Sequence, residues 1–311
     1  MPLPDTVCLP WQTPSPLACS VLHFIPPPSR CPSNCDEQTP FFFGKHYLHA
    51  VYNCAMIAAQ KNNFWRFRGM KHIGLQLYSV GADMGKDVYA TLKRTAELGY
   101  TGVEFAGYFG IPAEQMKAWL DELGLKAYSS HTNVFGDFAA ETGYLKAVGA
   151  QNAVLPGGPS FATEADVLEL AEKMNALGKK FREEGIRLGY HNHSHEFTKN
   201  GDKGWTLDVL YDNTDPEYVS MQLDVCWAVV GGQDPVEYLK KYQNRVSTVH
   251  MKEVLTINPY EGTAIGDGIV DFKAIYELLG DDVVYIVEQE GIKTMETWEG
   301  LAKSRKYLAS L

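Results

Sequence analysis

The sequence predicts an α/β protein built as a (β/α)8 TIM barrel, preceded by a poorly structured N-terminal extension. From residue 70 onward, apolar runs of strand length alternate with helical patterns, which indicates parallel strands joined by crossover helices. Eight such pairs fit into about 240 residues, the usual size of this barrel. Glycines stand at the ends of the predicted helices, where a left-handed cap is favoured.

Each predicted strand is a short apolar run bounded by turn residues. A doubly wound open sheet is the alternative architecture, but it usually carries a Gly-rich phosphate turn after its first strand, and LQLYSVGADMG matches that turn poorly. Thr163 and Asp271 are the expected N-caps of two helices. We expect strands at 73–80, 102–107, 125–131, 152–156, 186–193, 219–227, 246–252 and 283–290, and helices at 86–98, 113–123, 139–148, 163–184, 205–212, 234–242, 271–279 and 294–309.

Residues 1–69 differ in composition from the barrel at 70–311. They are rich in Pro, Ser and Cys, hold five of the six cysteines and show no sustained period of 2 or 3.6. We therefore expect an irregular extension, with a short helix around 48–60 as an open alternative. Our hypothesis is that the functional protein begins at Met70 and that the first 69 residues are an upstream-translated or poorly ordered extension. Cys31 and Cys35 could form half of a metal site, but no second half follows them.

Charge and hydropathy restrict the classes of partner. The formal net charge is −10, and an acidic body argues against binding nucleic-acid phosphates or an anionic membrane. The sequence has no apolar run long enough to suggest a transmembrane helix. Cys226 is the single cysteine after residue 70, so the barrel has no disulfide framework, which fits a reducing cytoplasm.

Polar side chains gather where the predicted strands end. The stretch YHNHSHEF at 190–197 ends the fifth strand with several groups that can bind a metal. The carboxyl ends of all eight strands meet at one face of a barrel, and this face carries the active site. Because side chains alternate along a strand, residues i and i+2 share a side. The strand-end candidates are Glu104, His131, His191, His193, Asp224, His250, Lys252, Glu288 and Glu290.

So many charged groups in one mouth predict a bound cation, because unpaired buried charges are costly. Mixed carboxylate and imidazole ligands favour Mn²⁺, Co²⁺, Mg²⁺ or Zn²⁺ over metals that prefer thiolates. Such an ion can polarise a carbonyl group, while a nearby carboxylate or lysine moves a proton. We therefore expect a divalent metal and a small polar substrate.

The ordered set of Asp224 in QLDVCW, His250 in VHMKE and Glu288 in YIVEQE resembles the xylose isomerase-like barrel superfamily. The opening strand IGLQLYS, the SSH at 129–131 and IGDGIVDF at 265–272 look similar too. This resemblance, which covers essentially all of 70–311, implies metal ligands at the ends of strands 5 to 8. Asp224, His250 and Glu288 match three of them. His191 stands where the fourth, usually a glutamate, is expected, and His193 and Glu196 are alternatives for this fourth ligand. That departure resembles the inosose dehydratase branch.

The remaining candidates surround these ligands. Glu288 is also a candidate base, His193 and Glu196 are candidate acid/base groups, and Lys252 could donate a proton or hold an anionic group, unless it pairs with Glu253. The pocket-lining candidates for substrate binding are Glu104, His131 and Trp227, the last as a stacking floor or as ordinary packing.

Gly266 and Gly268 are expected to form turns, with phosphate binding as an open alternative because phosphate sites favour this part of a barrel.

The resemblance implies a metal-dependent isomerase or epimerase of a sugar or sugar phosphate, working by proton transfer beside a carbonyl. The alternative is a lyase or dehydratase acting on a keto-inositol or 3-keto-glycoside, and a third hypothesis is a non-catalytic sugar-binding barrel. Trp227 and Ala264 stand where the apurinic endonuclease branch would have histidines, so DNA repair is disfavoured. A homo-oligomer is an open expectation, because many barrels of this class pair.

Overall fold

Eight parallel strands close into a barrel in the computed structural model, which describes residues 72–157, 161–199 and 204–311. The strand order around the barrel is β1, β10, β7, β6, β5, β4, β3 and β2, so the last barrel strand pairs with the first. The predicted fold is confirmed. The barrel strands are β1 Ile73–Gln76, β2 Gly102–Ala106, β3 Lys126–His131, β4 Asn152–Leu155, β5 Arg187–His191, β6 Val219–Asp224, β7 Val246–Met251 and β10 Val284–Val287.

Helices follow the strands and pack around the barrel. Thr163 forms a capping box at the start of α5, and the Asp271 side chain accepts a hydrogen bond from the Ala274 amide at 2.9 Å, which confirms both predicted N-caps. The helices are α1 Gly81–Met84, α2 Val88–Glu97, α3 Ala113–Leu123, α4 Phe138–Val148, α5 Glu164–Glu183, α6 Thr206–Asp212, α7 Val225–Val230, α8 Pro235–Lys241, α9 Phe272–Leu279 and α10 Thr297–Leu308.

Most barrel strands end earlier than predicted, and two of these ends, those of β1 and β6, have a clear local cause. The backbone turns into a 3₁₀ helix at Leu77–Val80, so β1 stops at Gln76. β6 stops at Asp224 because this residue caps α7, its Oδ1 accepting from the Trp227 amide at 2.9 Å. Each of these two early stops leaves a polar side chain at the mouth of the barrel, where the chain leaves the sheet.

The connection after β7 contains a hairpin that the sequence analysis missed. Its strands, β8 Glu253–Thr256 and β9 Glu261–Thr263, pair antiparallel outside the barrel. They are too short to show a clear period of two.

The expectations for residues 1–69 lie outside the described residues. Among those that are described, no helix is long and apolar enough to cross a membrane.

Two helical glycines provide a matched test of the packing of helices on the barrel. A Cβ on Gly178 of α5 would lie 2.3 Å from the Tyr218 carbonyl oxygen, whereas a Cβ on Gly143 of α4 would meet nothing within 4 Å. We expect Gly178→Ala to lower the free energy of unfolding by about 1–3 kcal/mol through overpacking. Gly143→Ala should raise it by about 0.5–1 kcal/mol because alanine is the better helix former. Urea unfolding of both variants measures the difference, and equal effects would contradict the close packing of α5.

Candidate active site

Four strand ends bring together a cluster of ligand-bearing side chains, which we call the metal cluster: His191, Asp224, His250 and Glu288. One ligand atom from each lies within 4.8 Å of the others, and all four residues are buried. Asp224 and His250 are register partners across β6 and β7, which explains why they face the same side. The sequence expected these four residues to be ligands, and the structure brings them to one place.

Three buried polar atoms in the metal cluster lack a hydrogen-bond partner among the described residues: Nδ1 of His191, Oδ2 of Asp224 and Nδ1 of His250. The His250 Nδ1 lies 2.9 Å from Glu288 Oε2 and 4.0 Å from Asp224 Oδ2, in a salt-bridge contact without hydrogen-bond geometry. Buried polar atoms are rarely left without partners. Two imidazoles and two carboxylates meet the preferences of a divalent ion, so the residues present fit a metal.

Burial and neighbouring charges set the protonation of the cluster. Burial keeps the pKa of His191 well below its usual value, so its imidazole is neutral and able to ligate. Burial also raises the pKa of Asp224 to about 7. Burial alone would lower the pKa of His250, but the carboxylates of Glu104 and Glu288 raise it to about 10. In the metal-free protein His250 therefore carries a proton between carboxylates, and a bound cation would replace that positive charge.

Glu104 lies beneath the metal cluster and is fully buried. Burial alone would raise its pKa, but His131 and His250 lower it to about 2, so the carboxylate stays charged. Its two carboxylate oxygens make hydrogen bonds and ion-pair contacts with side chains from four other barrel strands. The contacts are Gln76 Nε2 at 2.6 Å, Gln222 Nε2 at 2.6 Å, His250 Nε2 at 2.5 Å, His131 Nε2 at 3.2 Å and Ser129 Oγ.

These contacts give Glu104 a role different from the predicted one. The sequence analysis assigned it to the substrate pocket, whereas its two oxygens are occupied by protein groups below the mouth. By holding Nε2 of His250, Glu104 directs Nδ1 toward the metal cluster. Such carboxylate–histidine pairs fix the ring orientation and the tautomer of a metal ligand. Glu104 is thus placed to position a ligand.

His131 belongs to the same buried network. Its Nε2 lies 2.6 Å from Gln222 Oε1, and its ring stacks on that of His250 with centroids 5.0 Å apart. Gln222 in turn donates to Thr248 Oγ1 at 2.8 Å. His131 was predicted to touch the substrate, and its ring also lies 4.8 Å from that of His191, so it forms part of the wall of the metal cluster.

Lys252 is almost fully buried at the end of β7. Its Nζ donates to Glu288 Oε1 at 3.0 Å and to Glu290 Oε1, and it does not form the ion pair with Glu253 considered in the sequence analysis. The ammonium lies 4.4 Å from the ring centroid of Trp227, which itself stacks on Tyr260 at 5.1 Å. Burial would lower the pKa of Lys252, but the surrounding carboxylates raise it. Lys252 therefore carries a fixed positive charge beside the metal cluster.

His193 lies at the open side of the cluster, with its ring 5.1 Å from that of His191 and 5.9 Å from that of Trp227. Burial lowers its pKa, so the imidazole is neutral near pH 7. The loop after β4 comes so close that a Cβ on Gly157, which has φ of +86°, would lie 2.7 Å from His193 Nδ1. Only glycine suits this conformation and this approach.

Glu196 is fully buried and is bound within its own loop. Oε1 accepts from the Tyr190 hydroxyl at 2.9 Å, and Oε2 accepts from the His193 amide at 2.9 Å. The predicted acid/base role therefore competes with two hydrogen bonds that fix the backbone of His193. His195, its neighbour, is 42% exposed. The structure thus presents His193, and not Glu196, as the partly open group of this loop.

Several residues of the site were missed from the sequence. Gln76 is the last residue of β1. Gln222 stands two residues before Asp224, the last residue of β6, so the period of two could have identified it. Ser129 stood inside the quoted SSH. Tyr260 lies in the unpredicted hairpin connection, and nothing in its local sequence indicates that it stacks on Trp227.

Comparison with known proteins places the chain in a family. The family described as "Xylose isomerase-like TIM barrel" matches residues 92–311. The chain belongs to this family. Its curated relatives include an inosose dehydratase of Lacticaseibacillus casei, 25% identical over 275 residues that cover 73% of this chain and 91% of the relative.

Solved structures of the xylose isomerase-like family resemble the barrel. A protein from Parabacteroides distasonis, described as a sugar phosphate isomerase/epimerase, is 31% identical, with a TM-score of 0.66 over 78% of this chain and 95% of that one. A 3-keto-D-glucoside 4-epimerase from E. coli is 18% identical, with a TM-score of 0.59 over 78% of this chain and 100% of that one. This second likeness supports the fold alone.

The position of Glu104 in this member of the xylose isomerase-like family leads to a test. We expect Glu104→Gln to weaken binding of Mn²⁺ by about 10- to 100-fold, because His250 loses the carboxylate that orients it. Isothermal titration calorimetry measures the affinity. ¹⁵N NMR of His250 in the metal-free protein should show a lowered pKa, because one of the carboxylates that raise it is gone, and a general loss of stability would not produce this change.

A matched control separates orientation from the loss of a buried carboxylate. Asp208 is also buried, and it accepts hydrogen bonds from Tyr238 at 2.6 Å and Tyr242 at 2.9 Å, outside the metal cluster. Asp208→Asn should lower stability without changing the Mn²⁺ affinity. Unchanged affinity in Glu104→Gln would contradict the positioning role.

Proposed function

We propose that the protein is a metal-dependent lyase or dehydratase that removes a proton beside the carbonyl of a keto-inositol or keto-glycoside. The observation that carries the proposal is the metal cluster, whose unpartnered ligand atoms lie next to a neutral, partly open His193. The similarity to an inosose dehydratase supports elimination over isomerisation. The sequence alone favoured isomerisation, so the relatives change the order of the two hypotheses.

The chain's own residues would divide the work of an elimination. A divalent ion held by His191, Asp224, His250 and Glu288 would polarise the ketone oxygen. His193 would take the proton from the carbon next to the carbonyl. The electrons of that C–H bond form a C=C bond as the C–O bond on the following carbon breaks, and the leaving oxygen takes up a proton. The products are an unsaturated ketone and water, or an alcohol when the substrate is a glycoside.

Lys252 would hold Glu288 in position. Its ammonium binds Glu288 Oε1 at 3.0 Å and also pairs with Glu290, and the face of Trp227 covers it. The other Glu288 oxygen, Oε2, lies 2.9 Å from His250 Nδ1, so the lysine keeps this carboxylate oriented toward the metal cluster. Trp227 and Tyr260 would form an aromatic wall for the apolar face of a sugar ring.

A sugar isomerase or epimerase is the second candidate. It is supported by the 31% identity with the protein described as a sugar phosphate isomerase/epimerase. The first step would be the same, but the proton would return to a carbon and nothing would be eliminated. The third hypothesis is a non-catalytic sugar-binding barrel. It does not explain why a full set of acid and base groups is assembled at the metal cluster.

A test uses the full chain loaded in turn with Mn²⁺, Co²⁺, Mg²⁺ and Zn²⁺. Keto-inositols, ketoses and 3-keto-glycosides are incubated with it in D₂O, and their conversion is followed by NMR. We expect metal-dependent loss of the proton beside the carbonyl and the appearance of an unsaturated product. Deuterium uptake with an isomer as the product would support the second candidate. No exchange in the presence of bound metal would contradict both.

The two neighbouring histidines after β5 test the base. We expect His193→Gln to reduce the rate of exchange by at least about 100-fold, the typical contribution of a positioned base, while Mn²⁺ affinity changes little. His195→Gln should leave the rate nearly unchanged because 42% of this side chain is exposed, away from the metal cluster. Equal losses in the two variants would indicate a general effect on the loop and not a base at His193.

A further inference from the structure

The buried ammonium of Lys252, at the mouth of the barrel, is already neutralised by two carboxylates. Lys252 Nζ contacts carboxylate oxygens of both Glu288 and Glu290, and Trp227 covers it with its ring. A phosphate group that approached this ammonium would face two carboxylates and would have to displace one of them. Like charges in contact are strongly unfavourable in a partly buried site. Lys252 is therefore poorly suited to hold an anionic substrate.

The backbone amides of the described loop after β7 that could hold a phosphate are also occupied. Barrels of this class bind phosphate in the loops after their seventh and eighth strands, where the sequence left Gly266 and Gly268 as candidates. In the structure the carboxylate of Glu253, itself buried, fills that place. It accepts hydrogen bonds from the amides of Val254, Gly266, Ile269 and Val270 at 3.1 to 3.2 Å.

Gly268 allows this internal anion to sit close to the loop. A Cβ there would lie 2.4 Å from Glu253 Oε1 and 2.2 Å from the Val254 carbonyl oxygen. The glycines of this loop thus enclose a carboxylate of the chain itself, and the concavity that an external phosphate would use is filled.

A cavity of about 500 Å³ lies between the loops after β1 and β10. Glu290 lines it and shares the ammonium of Lys252 with Glu288 of the metal cluster, so the cavity borders the side chains next to that cluster. Tyr78, with 63% of its surface exposed, also lines it. The other lining side chains include Ser79, Asp83, Gln289 and Thr297. Acidic and uncharged groups with one open aromatic ring suit an uncharged group and not a phosphate.

We infer that the mouth selects an uncharged keto-glycoside, with its keto ring at the metal cluster and its aglycone in the cavity between the β1 and β10 loops. This inference rests on the proposed function and extends it, because it chooses among the substrates that the same chemistry could use. The cyclitol has no group to fill the cavity, and the sugar phosphate meets an occupied amide site and a neutralised lysine.

Three probes test the inference on the Mn²⁺-loaded full chain: a phenyl 3-keto-glucoside, its 6-phosphate and a keto-inositol. We expect kcat/KM for the phenyl glycoside to exceed that for its phosphate by about 100-fold, because the phosphate would face the carboxylates of the mouth. Similar values for these two probes would overturn the inference. Turnover of the keto-inositol without turnover of the glycoside would overturn it while leaving the proposed function intact. No turnover of any probe would contradict the proposed function itself.

Variants of Tyr78 test the cavity. Tyr78→Ala should raise KM for the phenyl glycoside by about 10-fold through loss of the aromatic contact, and it should leave KM for the keto-inositol unchanged. Tyr78→Phe keeps the ring and should restore the value for the glycoside. An equal effect of Tyr78→Ala on both substrates, or no effect on either, would show that the aglycone does not occupy this cavity.

Discussion

The buried carboxylate of Glu104 is the interaction on which the mouth of the barrel depends. It joins side chains from five strands in one hydrogen-bonded layer and stays ionised because His131 and His250 lie against it. A buried charge of this kind is stable only when its partners are all in place. The same contacts determine which nitrogen of His250 faces the metal cluster. The hydrogen bonds of Glu104 thus both order the interior of the barrel and orient a ligand at its mouth.

Much of the site could be predicted from the sequence because a parallel barrel collects strand ends at one face. Asp224, His250 and Glu288 are identified by that rule together with the period of two. Other roles could not be predicted, because they depend on contacts between residues far apart in the chain. Glu104 is 146 positions from His250, and no local pattern reveals that its oxygens are filled from neighbouring strands.

Lys252 and Glu253 show how tertiary contacts reverse a local expectation. Adjacent residues of opposite charge suggest an ion pair, yet they follow the end of a strand and point in different directions. Lys252 turns toward β10 and its carboxylates, while Glu253 turns to the amides of the following loop. The hairpin that separates these environments was too short to be recognised from its sequence. The electrostatics of the mouth therefore follow from a loop that the sequence left undefined.

The histidine at position 191 also has a consequence for the total charge of the metal cluster. With a divalent ion bound in place of the proton on His250, two neutral imidazoles and two carboxylates would carry two negative charges, which the ion would cancel. A glutamate in place of His191, as the superfamily resemblance implies for other members, would leave the loaded cluster with a surplus negative charge. An electroneutral centre would withdraw more electron density from a bound oxygen than an anionic one, because one fewer anionic ligand donates charge to the ion. In a metal-loaded protein the fifth strand would thereby adjust the Lewis acidity of the centre through a single side chain.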